Sequence, residues 1–203
     1  RRDDRRGGGI ANAVTMENAK QAYAIMGADT PDGATNQWIS GLSPDESYAV
    51  GYYTGPHYYE MNKHLREGQS IDPHGAQQIA TLTEALKKGV LPEAVVLHRG
   101  GTSALIGGAT TVEAINAKAG QIISDAGFMS SCTVKGQQFG GEVVYHIKTR
   151  AGKGIGAFVD PISHFSGEME FLFQRGSAFK IVRGYQDGSQ LHCELEYVGN
   201  EIS

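Results

Sequence analysis

Two carboxylates stand two residues apart at the head of an apolar run, Glu168-Met169-Glu170-Phe171-Leu172-Phe173. If residues 168–173 form a strand, side chains at i and i+2 share a face. Glu168 and Glu170 are then expected side by side, roughly 7 Å apart, with Met169 turned the other way. Like charges that close raise each other's proton affinity, and a sequence shaped only by folding has little reason to pair them. Such a pair suits acid–base work and the stabilisation of developing positive charge; the bland alternative is a solvated edge strand guarded against aggregation. Two further segments carry chemistry-bearing groups. An apolar run at 94–98 ends in Arg99-Gly100-Gly101, and a strand pattern at 127–133 carries Ser130-Ser131-Cys132. Alone, each has an ordinary reading: a surface or ion-pair arginine, or half-exposed sheet serines. The ordered set of Arg, Ser and Glu-x-Glu is far more specific.

These residues need elements to position them. The first half reads helical. Met16, Ala19, Tyr23 and Met26 fall at 3-4-3 spacing on one helix face. Ser43-Pro44-Asp45-Glu46 is a capping box with proline at the first helical position, opening a helix toward Gly51. A further helix is expected over 57–67, with Tyr58, Met61 and Leu65 buried and Gly68 as its stop, and another over 76–88 with Ile79, Leu82 and Leu86 inward. Asp72-Pro73-His74-Gly75 reads as a turn, and Thr110-x-x-Glu113 as a second capping box. Beyond Pro92 strands take over, at 94–98, 127–133, 142–149, 156–158, 168–173, 178–185 and 191–198, separated by Gly-, Asp- and Asn-rich turns. Helices followed by antiparallel-looking strands make an α+β domain.

Composition bounds the rest. The 203 residues suffice for one large domain, 40% are hydrophobic, and the net charge of −4 gives no basic signature for nucleic acid. The 28 glycines are about twice the usual share and argue for many tight turns. Cys132 and Cys193 form no framework and have no metal-ligand spacing. The seven histidines are not expected to cluster, none shows metal spacing, and His98 and His146 read as satisfied structural residues in apolar runs. No apolar stretch reaches membrane-helix length. Residues 1–9, Arg- and Gly-rich with no apolar signal region, are expected to be disordered or the remnant of a linker to something longer, leaving 10–203 as one catalytic domain.

The chain resembles the mono-ADP-ribosyltransferase toxins of the Arg–Ser–Glu class, most of all the clostridial Rho-modifying exoenzymes and the actin-modifying components of binary toxins. The likeness runs from about Trp38 to Val182. Tyr53-Thr54-Gly55 followed by Asn62-x-x-x-Arg66 matches the family's helical segment, with Met61 where isoleucine is usual. Leu97-His98-Arg99-Gly100 matches the arginine strand, and 127–132 the strand bearing Ser-Thr-Ser. Phe139-Gly140-Gly141 matches the loop whose phenylalanine packs on nicotinamide. Residues 160–170 match the substrate-recognition loop running into the catalytic strand.

The resemblance implies two packed, mostly antiparallel sheets forming a NAD cleft, with N-terminal helices alongside. It implies NAD as substrate and no metal. Arg99 and Arg66 would take the pyrophosphate with their planar charged forks. Gly100 would let the backbone approach the nicotinamide amide, and Phe139 would stack on the ring. Tyr53 and Asn62 would complete the cofactor-binding set, although Tyr53 and Phe139 read equally well as ordinary packed aromatics. Glu170 would stabilise the oxocarbenium-like ribosyl cation and hold the ribose 2′-hydroxyl, its rotamer fixed by Ser130. Glu168 would polarise a guanidinium acceptor, which is a poor nucleophile when fully protonated; in the family, Glu here goes with arginine acceptors and Gln with asparagine in Rho. Phe165 would touch the protein target.

Three departures stand out. Ser-Thr-Ser is Ser-Ser-Cys, putting a weaker donor at Cys132. Glu142 replaces a second arginine, whose phosphate contact would be either lost or supplied by another residue such as Lys135 or Arg66. Glu168 argues against the asparagine target of the exoenzymes the chain otherwise resembles. The expectation is a monomeric transferase moving ADP-ribose from NAD to an arginine of a target protein. It would be secreted or delivered by a larger effector and act in the target-cell cytosol, with an immunity or delivery protein as a further partner and no membrane or nucleic-acid role. The alternatives are a NAD glycohydrolase and a non-catalytic interaction domain that kept the fold.

Overall fold

The computed structural model describes residues 14–136 and 140–202. The N-terminal stretch 1–9 and Phe139 lie outside the described residues. Helices come first: α1 (Met16–Met26), α2 (Ala34–Ser40), α3 (Pro44–Tyr52), α4 (Tyr58–Glu67) and α5 (Pro73–Lys87). A π-type turn, Tyr53–His57, joins α3 to α4, with Gly55 at non-helical φ/ψ before Pro56. Proline lacks the N–H that would continue the ladder and pushes its predecessor out of the helical region.

Local chemistry accounts for the helix ends. Ser43 and Glu46 form both bonds of the capping box, and Gly68 closes α4 at φ 70°. Tyr58 and Met61 are buried on that helix. Three expectations are corrected. Asp72-Pro73-His74-Gly75 is the first turn of α5, because Asp72 caps the Gly75 N–H at 2.6 Å and Pro73 sits where no donor is needed. The short helix α6 (Val112–Asn116) is capped by Thr111 rather than Thr110. Met16 is 86% exposed, so the buried face of α1 begins a turn later, with Ala22 and Met26 inside and Ala19 and Tyr23 packed on the core.

The strands are β1 (Val90–Leu91), β2 (Val96–Gly101), β3 (Ile122–Asp125), β4 (Met129–Cys132), β5 (Val143–Lys148), β6 (Gly152–Lys153), β7 (Gly156–Phe158), β8 (Glu170–Phe173), β9 (Ser177–Asp187) and β10 (Gln190–Asn200). A two-stranded sheet pairs β1 with β6; the larger sheet runs β3-β9-β10-β5-β2-β4-β8-β7. Among the described residues, only β5 and β10 pair in parallel. The α+β class and the two mostly antiparallel sheets are as expected. Arg99 lies inside β2, not at its end, facing Tyr145 of β5. On its other edge β2 meets β4 through one register pair, His98 with Cys132. One core cluster packs Leu97, Tyr145, Ile147, Phe171, Phe173 and Phe179, and another seats Phe128 and Leu172 against Trp38, Val50, Met61 and Leu82 of the helices.

Contrary to the expectation that the histidines do not cluster, three of the seven come together in space. His98 and His146 face each other across β2 and β5, with Nδ1 atoms 2.7 Å apart. His146 Nε2 lies 2.8 Å from His192 Nδ1 on β10. The His192 ring stacks on Tyr185 of β9, with centroids 4.8 Å apart. Burial holds His98 and His146 down to about 4, helped by His146 at the first, by His192 at the second and by Lys135 at both, and burial also lowers His192. Among the described residues, no group of three or more His, Cys, Asp or Glu could hold a metal ion.

The sign of the pH effect follows. The native rings stay neutral where unfolded histidine, near pH 6.5, takes up protons, so the stability they permit is intact above about pH 6.5 and falls as pH drops toward 4. The first full shift amounts to on the order of 3 kcal/mol. Urea unfolding of His98→Asn is expected to show a shallower loss of stability between pH 6.5 and 4 than wild type; parallel slopes would contradict this.

Candidate active site

Arg99, Ser130 and Glu170 stand on three adjacent strands, β2, β4 and β8. The Arg99 guanidinium donates to the Ser130 carbonyl at 2.8 Å, joining β2 to β4 beside their single register pair. Ser130 faces Leu172, and Cys132 faces Glu170. Side-chain alternation therefore puts Ser130, Cys132, Glu170 and Leu172 on one face, the face that Leu172 buries against the helices. Ser130 and Glu170 are diagonal neighbours, about 7–8 Å apart at the backbone and within reach for long side chains. Glu170 is 3% exposed and Ser130 half-buried. Cys132, whose thiol burial pushes up to about 11, donates to the carbonyls of Val134 and Glu168. Both cysteines are free and buried.

The simple strand geometry expected for the two glutamates does not hold. β8 begins at Glu170, and Met169 adopts φ 52°, the only positive φ outside glycine among the described residues. A non-glycine residue there costs roughly 1–2 kcal/mol. Met169 is nonetheless buried next to Glu170, and Glu168 sits half-exposed on the loop before the strand. Backbone reversal at Met169, not i, i+2 alternation, sets the relation of the two carboxylates. The loop at 160–169 begins with a 3₁₀ turn, Asp160–Ile162, and is tied to the helices where Thr54 Oγ1 accepts from the His164 N–H at 2.9 Å. Phe165 is 41% exposed and packs edge-on against His164.

Tyr53, Asn62 and Arg66 converge on Phe128, just ahead of β4. Asn62 accepts from the Phe128 N–H at 2.9 Å and donates to the Tyr53 hydroxyl at 3.0 Å. That hydroxyl is 3.4 Å from the Phe128 carbonyl, which also accepts from Arg66 at 3.0 Å. Tyr53 and Asn62 are buried. Arg66 grips Asp125 with both fork nitrogens, at 2.7 and 2.9 Å; next to that carboxylate its pKa is raised further, against the effect of burial. Gly127 is required here, since a Cβ would lie 2.7 Å from Arg66 Nε and 2.8 Å from Asn62 Oδ1. Asp125 and Phe128 are the partners that sequence reasoning missed.

Arg66 and Arg99 line the same cleft, of about 380 Å³, with Thr102, Asp125, Met129 and Tyr145. Two guanidinium groups at one cavity suit a diphosphate. Gly100 faces Val144 in the β2–β5 ladder. Glu142, where a second arginine is usual in the resemblance, accepts from the Ser103 N–H at 3.1 Å and so caps the 3₁₀ turn after β2.

The profile of the ADP-ribosyltransferase exoenzyme family matches residues 32–196. Exoenzyme T of Pseudomonas aeruginosa is 31% identical over 181 residues, spanning 88% of this chain and 36% of its own length. Mono-ADP-ribosyltransferase C3 of a Clostridium botulinum D phage is 28% identical over 214 residues, 95% of this chain and 84% of the phage protein. Mav of Mycobacterium avium, whose name proposes a NAD(+)–arginine ADP-ribosyltransferase, is 30% identical over 145 residues; the chain spans 16% of its length. Among solved structures, Plx2a, an ADP-ribosyltransferase toxin from Paenibacillus larvae, superposes with TM-score 0.76 at 23% identity, covering 94% of this chain and 100% of Plx2a. The mostly antiparallel α+β architecture is thus that of these toxins, and the chain belongs to the ADP-ribosyltransferase exoenzyme family, which uses NAD as its substrate.

Proposed function

We propose that this domain transfers ADP-ribose from NAD to an arginine side chain of a target protein and releases nicotinamide. The observation that carries the reading is the contrast between two neighbouring carboxylates: Glu170 buried on β8, Glu168 half-exposed at the rim. In this reading the bond from the ribose carbon to nicotinamide nitrogen breaks, its electron pair leaving with nicotinamide. Glu170 stabilises the ribosyl cation and holds the 2′-hydroxyl, with Ser130 fixing its rotamer. A guanidinium nitrogen then attacks, and Glu168 takes the proton it loses. Arg99 and Arg66 hold the pyrophosphate. Gly100 and Phe139 flank nicotinamide, and Phe165 meets the target. Tyr53 and Asn62, buried and bonded to each other, act by fixing Phe128 and with it the start of β4. The name of Mav supports the arginine acceptor. The names of exoenzyme T and secreted exoenzyme S, both of Pseudomonas aeruginosa, support an exported effector, read here as acting in the target cell's cytosol. No helix among the described residues is long and apolar enough to cross a membrane.

Incubation with labelled NAD and cell extract, followed by mass spectrometry of the labelled band, is expected to find ADP-ribose on arginine. Glu170→Gln is expected to lower both NAD cleavage and transfer by at least about 100-fold, the scale of losing a transition-state charge stabiliser. Glu168→Gln is expected to lower transfer far more than NAD hydrolysis. Label on asparagine would refute the acceptor assignment, and equal loss of both activities in Glu168→Gln would refute its separate role. NAD consumed rapidly with no labelled macromolecule would make the protein a glycohydrolase.

The two arginines and the brace separate cleanly. Arg99→Lys keeps the charge but loses the fork, so the KM for NAD is expected to rise about tenfold with a smaller change in kcat. Asn62→Leu strands the Phe128 N–H and removes the bond donated to the Tyr53 hydroxyl, and is expected to cost about 1–3 kcal/mol of stability, read as a lowered Tm. An unchanged Tm would show that the brace carries no weight.

A further inference from the structure

Asp160 is fully buried, 0% exposed, and lies at the opposite end of the recognition loop from Glu168. Its carboxylate gathers that loop inward. Oδ1 accepts from the Gly167 N–H at 3.0 Å and from the Met169 N–H at 2.8 Å. Oδ2 accepts from the Tyr23 hydroxyl at 2.8 Å and is 3.3 Å from the Gly167 N–H. The two backbone donors flank Glu168 on either side. Gly167 stands at φ 95° and Met169 at φ 52°, so one carboxylate fixes both ends of the reversal that presents Glu168. Charge-assisted bonds to backbone N–H groups are the strong kind, and they offset strain at a left-handed methionine.

The third partner comes from far away in sequence. Tyr23 lies on α1, 137 residues before Asp160. Its ring packs edge-on against Phe158 of β7, centroids 5.4 Å apart. Burial, and then the Asp160 carboxylate, raises its phenol pKa, so it stays an O–H donor across the ordinary pH range. Glu170 is held by different means: its strand pairs with β4, and its carbonyl accepts from the Val159 N–H at 3.0 Å. The Asp160 bonds are made to the N–H groups on either side of Glu168, while β4 holds Glu170 through the ladder and also ties the turn, where the Met169 carbonyl accepts from the Thr133 N–H at 3.1 Å and the Glu168 carbonyl from the Cys132 thiol at 3.6 Å.

We infer that Asp160, with Tyr23, is a positioning pair for the transfer step, holding Glu168 toward the acceptor while leaving Glu170 and NAD cleavage to the β4–β8 ladder. This rests on the role given to Glu168 above. Loosening the pair lets the Gly167–Met169 turn relax, so Glu168 loses its aim and water competes better for the ribosyl cation. The partition between acceptor and water shifts, rather than the rate of nicotinamide release.

The test uses the purified protein and two substitutions. Tyr23→Phe deletes one hydroxyl and keeps the ring on Phe158. Asp160→Asn keeps the shape but replaces an acceptor oxygen by a donor. For each, nicotinamide release without acceptor is measured beside transfer, both to agmatine (a small alkylguanidine) and to macromolecules of a cell extract. Tyr23→Phe is expected to lower the ratio of transfer to hydrolysis about fivefold, with hydrolysis within about twofold of wild type, and Asp160→Asn more than tenfold, both through a raised KM for agmatine. A ratio unchanged in Tyr23→Phe, or both activities falling in parallel, overturns the proposal. Should Asp160→Asn fail to fold, Tyr23→Phe decides alone. A wild type that labels extract protein but not agmatine removes the arginine reading, and the same ratio measured on extract protein still decides the Asp160 role. A wild type that labels neither removes both.

Discussion

The site depends on how the helical layer is fastened to the sheet at Phe128. One residue has its N–H taken by Asn62 and its carbonyl by Arg66, with the Tyr53 hydroxyl lying between Asn62 and that carbonyl. Because Phe128, Asn62 and Tyr53 are buried, each bond left unmade among them would cost more than the bond contributes when made. The arrangement therefore tolerates little slippage. It fixes where β4 begins, and β4 is the strand that carries Ser130 and pairs with β8. Gly127 allows the approach, and Asp125 orients the guanidinium that performs it.

That fastening also explains why β2 can meet β4 through a single register pair. A junction so short could not hold two sheet segments by backbone bonds alone. Arg99 bridges it by donating to the Ser130 carbonyl, so the residue that faces the cleft also closes the seam. Arg66 has the same double character, paired with Asp125 while lining the cavity. A ligand anion entering there meets guanidinium groups whose orientation has already been set by other bonds, the condition under which binding needs little side-chain ordering.

Much of this was legible in the sequence because the signals were local. The Ser43–Glu46 box, the Gly68 stop and the strand carrying Arg99 each follow from residues within a few positions. The ordered Arg, Ser and Glu-x-Glu set led to three strands that prove adjacent. What escaped was decided by distant partners or by backbone geometry. Asp72-Pro73 carries the same residues in a turn and at a helix start, and only the Gly75 N–H beyond it distinguishes the two. β3 is a four-residue strand paired with β9 alone, with Ile122 58% exposed, so it lacks an alternating pattern long enough to read. The left-handed Met169 is imposed by Asp160 nine residues earlier, and no propensity of methionine announces it. The histidine cluster joins residues 46 and 48 positions apart, brought together only by strand order.

That cluster has a directional property. A neutral imidazole carries one hydrogen on two nitrogens, and the His98–His146–His192 chain uses both nitrogens of the central ring. Its hydrogens must therefore all point one way along the chain or all the other. If a group outside donates to His192 Nε2, then His192 donates inward, His146 donates to His98, and His98 is left with its hydrogen on Nε2. If that outside group accepts instead, every ring changes tautomer and His98 Nε2 becomes an acceptor. One hydrogen bond made on β10 thus dictates the polarity of a nitrogen on β2, the strand that also carries Arg99, without moving the backbone or changing the net charge.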